Sequence, residues 1–151
     1  MGLVVISGCF EPPITTTNKI YIYPQISYKI VDDMFNVSIR LDSQQAINGF
    51  ETSFKFNQSL VQIVNWEWGD YFPSESFRSI PRIDNVNGIV TGIFAVSIGT
   101  EGIKSASTVI KFTFVSDLSG NCELELYDTN IVNSTGKVPF ELTNGQIIVS
   151  G

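Results

Sequence analysis

The chain contains no histidine. That removes the side chain most used as a general base near neutral pH and as a metal ligand. Cysteine is almost absent as well. Only Cys9 and Cys122 occur, too few for a disulfide framework and without the CxxC spacing of a metal or redox motif. Positive charge is sparse: 9 Lys and Arg stand against 15 Asp and Glu, a formal net charge of −6. No basic cluster offsets that balance, so phosphate backbones are repelled and nucleic acid is not an expected partner. No run reaches the ~20 apolar residues a membrane-spanning helix needs. The GxSxG, HExxH, P-loop and dinucleotide-binding fingerprints are missing too. A carboxylate pair for glycoside hydrolysis would have only the irregular stretch 70–88 to house it. The chain therefore reads as a non-enzyme that needs no cofactor and no metal.

What is present suits strands. Hydrophobic residues make up 43% of the 151 and charged residues 16%, enough apolar material for one packed domain. Phe (11) and Tyr (5) are abundant, and aromatic and β-branched side chains fit a pleated, half-buried surface. Period two runs almost throughout. Phe35, Val37, Ile39 and Leu41 alternate with polar residues, as do Phe50, Thr52, Phe54 and Phe56, and then Ile110, Phe112 and Phe114. Asp32-Asp33, Asn48-Gly49, Ser119-Gly120-Asn121 and Asn144-Gly145 punctuate these runs as turns. Roughly eight to ten short strands at this spacing predict a sandwich or barrel. No window has a helical period. Gln44–Ile47 is expected to make one helical turn at most.

The amino terminus carries a separate signal. Leu3-Val4-Val5-Ile6-Ser7-Gly8-Cys9 is apolar and ends in small residues before a cysteine. Ile6-Ser7-Gly8-Cys9 resembles the lipobox of secreted lipoproteins, in which the cysteine carries the lipid; acyl chains there would hold the domain at an extracellular membrane surface. The basic region of a signal peptide is missing before it, so residues 1–9 read as a truncated signal segment. Residues 10–19, with Pro12-Pro13 and Thr15-Thr16-Thr17, read as an extended tether. The folded domain is expected over residues 20–151.

The order of the strands adds more. "DMFNVSIRLDS" is followed by "INGFETSFKFNQSLVQIVNWEWGDYF", "GIVTGIFAVSIG", "STVIKFTFVSDLSGNCELELYDTNIVNSTG" and a closing "NGQIIVSG". From about Ile20 to Ser150 this resembles the cohesins and related carbohydrate-binding modules, most specifically at Gly49-Phe50 through Phe56-Asn57, at Phe112–Phe114 with Leu124–Asp128, and at Asn144-Gly145. The resemblance implies an all-β, nine-stranded jelly-roll β-sandwich. It also implies recognition of dockerins, small calcium-loaded helix pairs, through a sheet face made of the third, fifth, sixth and eighth strands. Carried onto this chain, the third strand offers Glu51, Ser53 and Lys55, and the strand taken as sixth offers Lys111 and Thr113. The strand Ile93-Phe94-Ala95-Val96 is apolar on both sides and gives no facing. The five polar residues equally fit plain solvent exposure.

Other features compete with that reading. Trp66, Trp68, Tyr71 and Phe72 cluster at a strand end, where rings could stack on a polysaccharide; core or loop packing is the preferred account. A purely structural role in the cell envelope is the third alternative. Asn36, Asn57 and Asn133 each head an N-x-S/T sequon, with Asn57 and Asn133 better placed for glycosylation because they fall in turns. Asp32, Asp33 and Asp70 could help hold a structural Ca²⁺, though a turn role is preferred. Cys122 shares parity with Leu124 and Leu126 and reads as a buried thiol.

Overall fold

The computed structural model describes residues 17–99 and 101–151. Cys9, the lipobox-like segment and the expected tether up to Thr16 lie outside the described residues. The remainder forms β1 (Asn18–Tyr23), β2 (Ile26–Ile30), β3 (Met34–Asp42), β4 (Gly49–Lys55), β5 (Val61–Trp68), β6 (Phe77–Arg78), β7 (Arg82–Asp84), β8 (Ile89–Val96), β9 (Ala106–Ser116), β10 (Gly120–Asn133), β11 (Gly136–Val138), β12 (Phe140–Thr143) and β13 (Gly145–Ser150). β1 takes in Asn18 and Lys19, which the sequence assigned to the tether. The Asn18 side chain explains why the strand starts there: its amide donates to Pro139 O at 3.0 Å, and its Oδ1 accepts from Gln44 N at 2.7 Å.

Two sheets result. The smaller has the order β12-β1-β3-β9-β5, the larger β2-β13-β10-β4-β8-β6, with β7 also on β8 and β11 on β10. The chain changes sheet twice at one corner. β1 passes into β2 at Pro24-Gln25, after a cis Tyr23–Pro24 bond, and β12 passes into β13 at Asn144-Gly145. Gln146 N donates to Gln25 O across this corner at 2.8 Å. The first and last segments therefore travel together, β1 parallel to β12 and β2 parallel to β13. Taking β1–β2 as one broken strand, β6–β7 as one and β11–β13 as one recovers the nine strands of the expected jelly roll.

Alternation explains the core. Ile20 and Ile22 of β1, then Phe35, Val37, Ile39 and Leu41 of β3, point inward from the smaller sheet; Phe50, Phe54, Cys122, Leu124 and Leu126 meet them from the larger. Phe54 packs edge-on against Phe112 at 5.0 Å, and Phe56 against Phe114 at 5.9 Å. Both pairs bridge the sheets, and each is worth roughly 0.5–1.5 kcal/mol beyond its buried area. Residues 44–47 make no helical turn, within the expected limit of one, because Ile47 exchanges backbone hydrogen bonds with Ile103 instead. One expectation is corrected. The irregular stretch 70–88 holds two short strands, β6 and β7, which extend the larger sheet beside β8.

Candidate functional site

β4 runs through the middle of the larger sheet. Phe50, Thr52 and Phe54 face inward, leaving Glu51, Ser53 and Lys55 on the outer side. Its neighbours both bulge at the same level. Pairing with β8 shifts between Thr52 and Phe54, and pairing with β10 shifts between Tyr127 and Asn130. Each bulge contains a residue in the left-handed region, Gly92 at φ 72° and Asp128 at φ 50°, as bulges of this kind require. Thr52 Oγ1 lies 2.8 Å from Thr129 Oγ1 and so engages one of the bulged residues.

The double bulge makes the outer face concave. Glu51, Ser53, Gly92, Phe94, Asp128 and Asn130 line a depression of about 510 Å³. Ser53 is only 8% exposed and forms part of its floor. Beside it, Phe50, Phe94, Val96 and Val132 line an apolar depression of about 260 Å³ that shares Glu51 and Asn130. The shared pair is fixed: Asn130 Nδ2 donates to a Glu51 carboxylate oxygen at 2.8 Å. Lys55 Nζ lies 5.0 Å from the centre of the Tyr127 ring, a cation–π contact that orients both. At the β6 side, Phe94 (40% exposed) and Phe77 (54%) pack edge to face at 5.7 Å.

Lys111 and Thr113 do not join this face. They lie on β9, in the smaller sheet, and are engaged across strands: Lys111 Nζ pairs with Glu67 at 2.6 Å, and Thr113 Oγ1 donates to Asn36 Oδ1 at 2.8 Å. The expectation of one surface shared by all five polar residues is corrected. β9 is the seventh strand, and the sixth is β8; the miscount arose because β6 and β7 were invisible within 70–88. The residues that the sequence did not assign are Phe77, Phe94, Tyr127 and Asn130. The signal for Phe94 was present in the apolar-on-both-sides pattern of 93–96. Ile93 and Ala95 point into the core, so Phe94 points out.

Tyr71 is corrected as a stacking residue. It is 1% exposed, and its hydroxyl lies 2.6 Å from Ser43 Oγ and 2.9 Å from Ile103 O. Trp66 and Trp68 share a side, as alternation predicts, and it is the inner one. They pair with the buried Phe112 and Ile110 and pack against the core edge. Their rings stand at 90° to each other, and Trp68 Nε1 donates to Ser79 O at 3.0 Å. Perpendicular, partly covered rings make no common platform for a sugar.

Asn57 immediately precedes a turn and Asn133 ends β10 just before one, each with its Oδ1 accepting from the backbone two residues on, Ser59 N at 3.0 Å and Thr135 N at 2.9 Å. Asn36 sits mid-strand on β3. Asp33 closes its own turn by accepting from Ile30 N at 3.0 Å, and Asp32 has φ 75°. Among the described residues no three metal-ligating side chains gather, and no helix is long and apolar enough to cross a membrane. Cys122 is buried, and its sulfur accepts from Asn57 N at 3.3 Å. Burial pushes its thiol pKa up, which keeps the sulfur protonated and unreactive.

No protein-family model matches the chain, and no curated protein matches its sequence. Solved structures do match in three dimensions. A non-cellulosomal cohesin from Archaeoglobus fulgidus superposes with a TM-score of 0.71 at 13% identity, covering 89% of this chain and 92% of that one. The sixth cohesin of scaffoldin B from Acetivibrio cellulolyticus, solved in complex with a dockerin, gives 0.74 at 12% identity over 89% and 100% of the two chains. A type I cohesin from Pseudobacteroides cellulosolvens gives 0.72 at 17% identity over 89% and 93%. The two-sheet sandwich of this chain is the cohesin fold.

Proposed function

We propose that the protein is a non-catalytic recognition module that binds a dockerin-type partner through the outer face of the larger sheet. The observation that carries this is β8, whose inward residues fill the core while Phe94 remains exposed, touching Phe77 beside an apolar depression. An exposed aromatic pair next to a hydrogen-bonded Glu51–Asn130 has the composition of a binding surface: an aromatic centre with a polar border. The corrected strand count supports the same face. The third, fifth, sixth and eighth strands are β4, β6–β7, β8 and β10, which are neighbours in one sheet. Cohesins of this fold from Acetivibrio cellulolyticus and Clostridium thermocellum were solved in complex with dockerins.

The test is calorimetric titration with calcium-loaded dockerin modules of several types, with and without chelator. The parent protein should bind at least one type, and only with calcium present. Phe94→Ala should weaken that binding about tenfold or more, the loss typical of a central aromatic contact. Lys111→Ala, on the opposite sheet, should leave it unchanged. Silence across all dockerin types rejects the partner; a larger loss from Lys111→Ala than from Phe94→Ala rejects the face.

The same reading places the module at the cell surface, with Cys9 as the lipid attachment. The support is the lipobox-like Ile6-Ser7-Gly8-Cys9, and mass spectrometry of the amino-terminal peptide from membrane fractions tests it. An unmodified Cys9 there would remove the anchor from the proposal.

A further inference from the structure

The outer face of the smaller sheet carries a second, differently built surface. Tyr21 and Tyr23 project from β1 two residues apart, on the same side, and Tyr23 is 55% exposed. Arg40 on β3 lies between them and the next strand. Its Nε donates to the Tyr21 hydroxyl at 3.2 Å, its Nη1 donates to Thr108 Oγ1 at 3.2 Å, and its guanidinium carbon sits 5.3 Å from the Tyr23 ring centre. Tyr21, Tyr23, Gln25, Asp42 and Thr143 line a depression of about 470 Å³. A second depression, of about 290 Å³, lies across the sheet and is lined by Glu67, Asp70, Thr108 and Lys111. Thr108, held by Arg40, belongs to the second and Tyr21 to the first, so Arg40 joins the two.

The depressions therefore lie on a line across the strands, from β1 over β3 and β9 to β5. Three strand spacings of about 4.8 Å make that track roughly 14 Å long. Its ligand must be extended. Its chemistry follows from what the track offers. The ionic groups largely neutralise each other: Lys111 pairs with Glu67, and Lys19 stands opposite Asp42. No single-sign field remains to capture a polyanion. Exposed aliphatic side chains are not part of the track. What is left is an aromatic ring, a fixed planar guanidinium and a mixture of hydroxyl, amide and carboxylate groups. A pyranose has a complementary surface, with apolar C–H faces for a ring and hydroxyls that both donate and accept. Arg40 is already tied to Tyr21 and Thr108, so little side-chain freedom is lost on binding.

We propose that this face binds a neutral polysaccharide segment, with Tyr23 as the stacking ring and Arg40 as the fixed hydrogen-bonding centre of the track. The site is independent of the dockerin reading, because it lies on the other sheet. It would let one module hold a protein partner and a glycan at the same time.

Affinity gel electrophoresis of the full chain in hydroxyethylcellulose, xylan and β-mannan, with sedimentation on microcrystalline cellulose, tests it. The parent should be retarded by, or sediment with, at least one of these. Tyr21→Ala/Tyr23→Ala should abolish the effect, and Phe94→Ala on the opposite face should retain it. Should the double variant fail to fold, as judged by circular dichroism, Tyr23→Ser at its exposed position should by itself weaken retardation about tenfold. Parent protein that binds none of the four polysaccharides overturns the proposal. So does binding that survives the tyrosine substitutions.

Discussion

Tyr71 shows how a single polar atom can reverse a residue's role. Its ring fills the core against Phe72 at 4.9 Å, and its hydroxyl is enclosed by Ser43 and Ile103. Burial raises its pKa from 10.0 to about 12. Between those values the folded protein holds a proton that the unfolded chain has released, so stability is full below pH 10 and falls as pH rises towards 12. Cys122, also raised by burial above 9.0, acts in the same direction. Urea unfolding at pH 7 and at pH 10–11 should show this alkaline loss. In Tyr71→Phe the fall should be shallower, and at pH 7 that variant should be about 1 kcal/mol less stable for the lost buried hydrogen bonds. An unchanged alkaline slope would place the tyrosine in water. From sequence, the cluster of rings after Trp66 was visible. Which ring turns inward was not, because the chain leaves the strand at Gly69 and alternation no longer applies.

At the scale of elements, the bulges decide what faces where. On β5, Val61 and Ile63 point inward; the register then shifts between Ile63 and Asn65, leaving Val64 exposed and bringing Trp66 and Trp68 inward. Period two is easy to read in a sequence, but its phase is lost wherever a residue is inserted. The paired bulges beside Ser53 are illegible for the same reason, although Gly92 within the mostly apolar Ile89–Val96 is their trace. A Cβ at Gly92 would meet nothing within 4 Å. Gly92→Ala should therefore cost only the left-handed backbone penalty, about 1–2 kcal/mol. At Gly145 the constraint is space: a Cβ there would lie 2.5 Å from Ile22 Cγ2, at the corner where the chain changes sheet. Gly145→Ala has to displace a buried isoleucine, and should cost at least about 2 kcal/mol. Denaturant midpoints of the two variants check the order, and a Gly92→Ala variant less stable than Gly145→Ala would contradict it.

For the molecule as a whole, the sequence revealed the architecture better than the surface. Phe35, Phe54, Phe112 and Leu124 meet in one interior, as their alternation required, because burial on one side of a strand is a local pattern. Assigning Lys111 to the same face as Glu51 failed because sheet membership is a non-local property. It depends on which strands pair, and two strands of two and three residues, β6 and β7, shifted the count. The lacing of the first segment with the last has a mechanical consequence. β1 is hydrogen-bonded on both sides, to β12 and to β3, so a force applied at Asn18 along the strand axis meets two ladders. Tension applied there loads both ladders in shear, all rungs together, whereas an outlying strand can peel one rung at a time. Single-molecule stretching from the amino-terminal end should give one abrupt rupture, with no gradual lengthening before it. A sandwich drawn taut along β1 would hold its shape until the whole of it gave way.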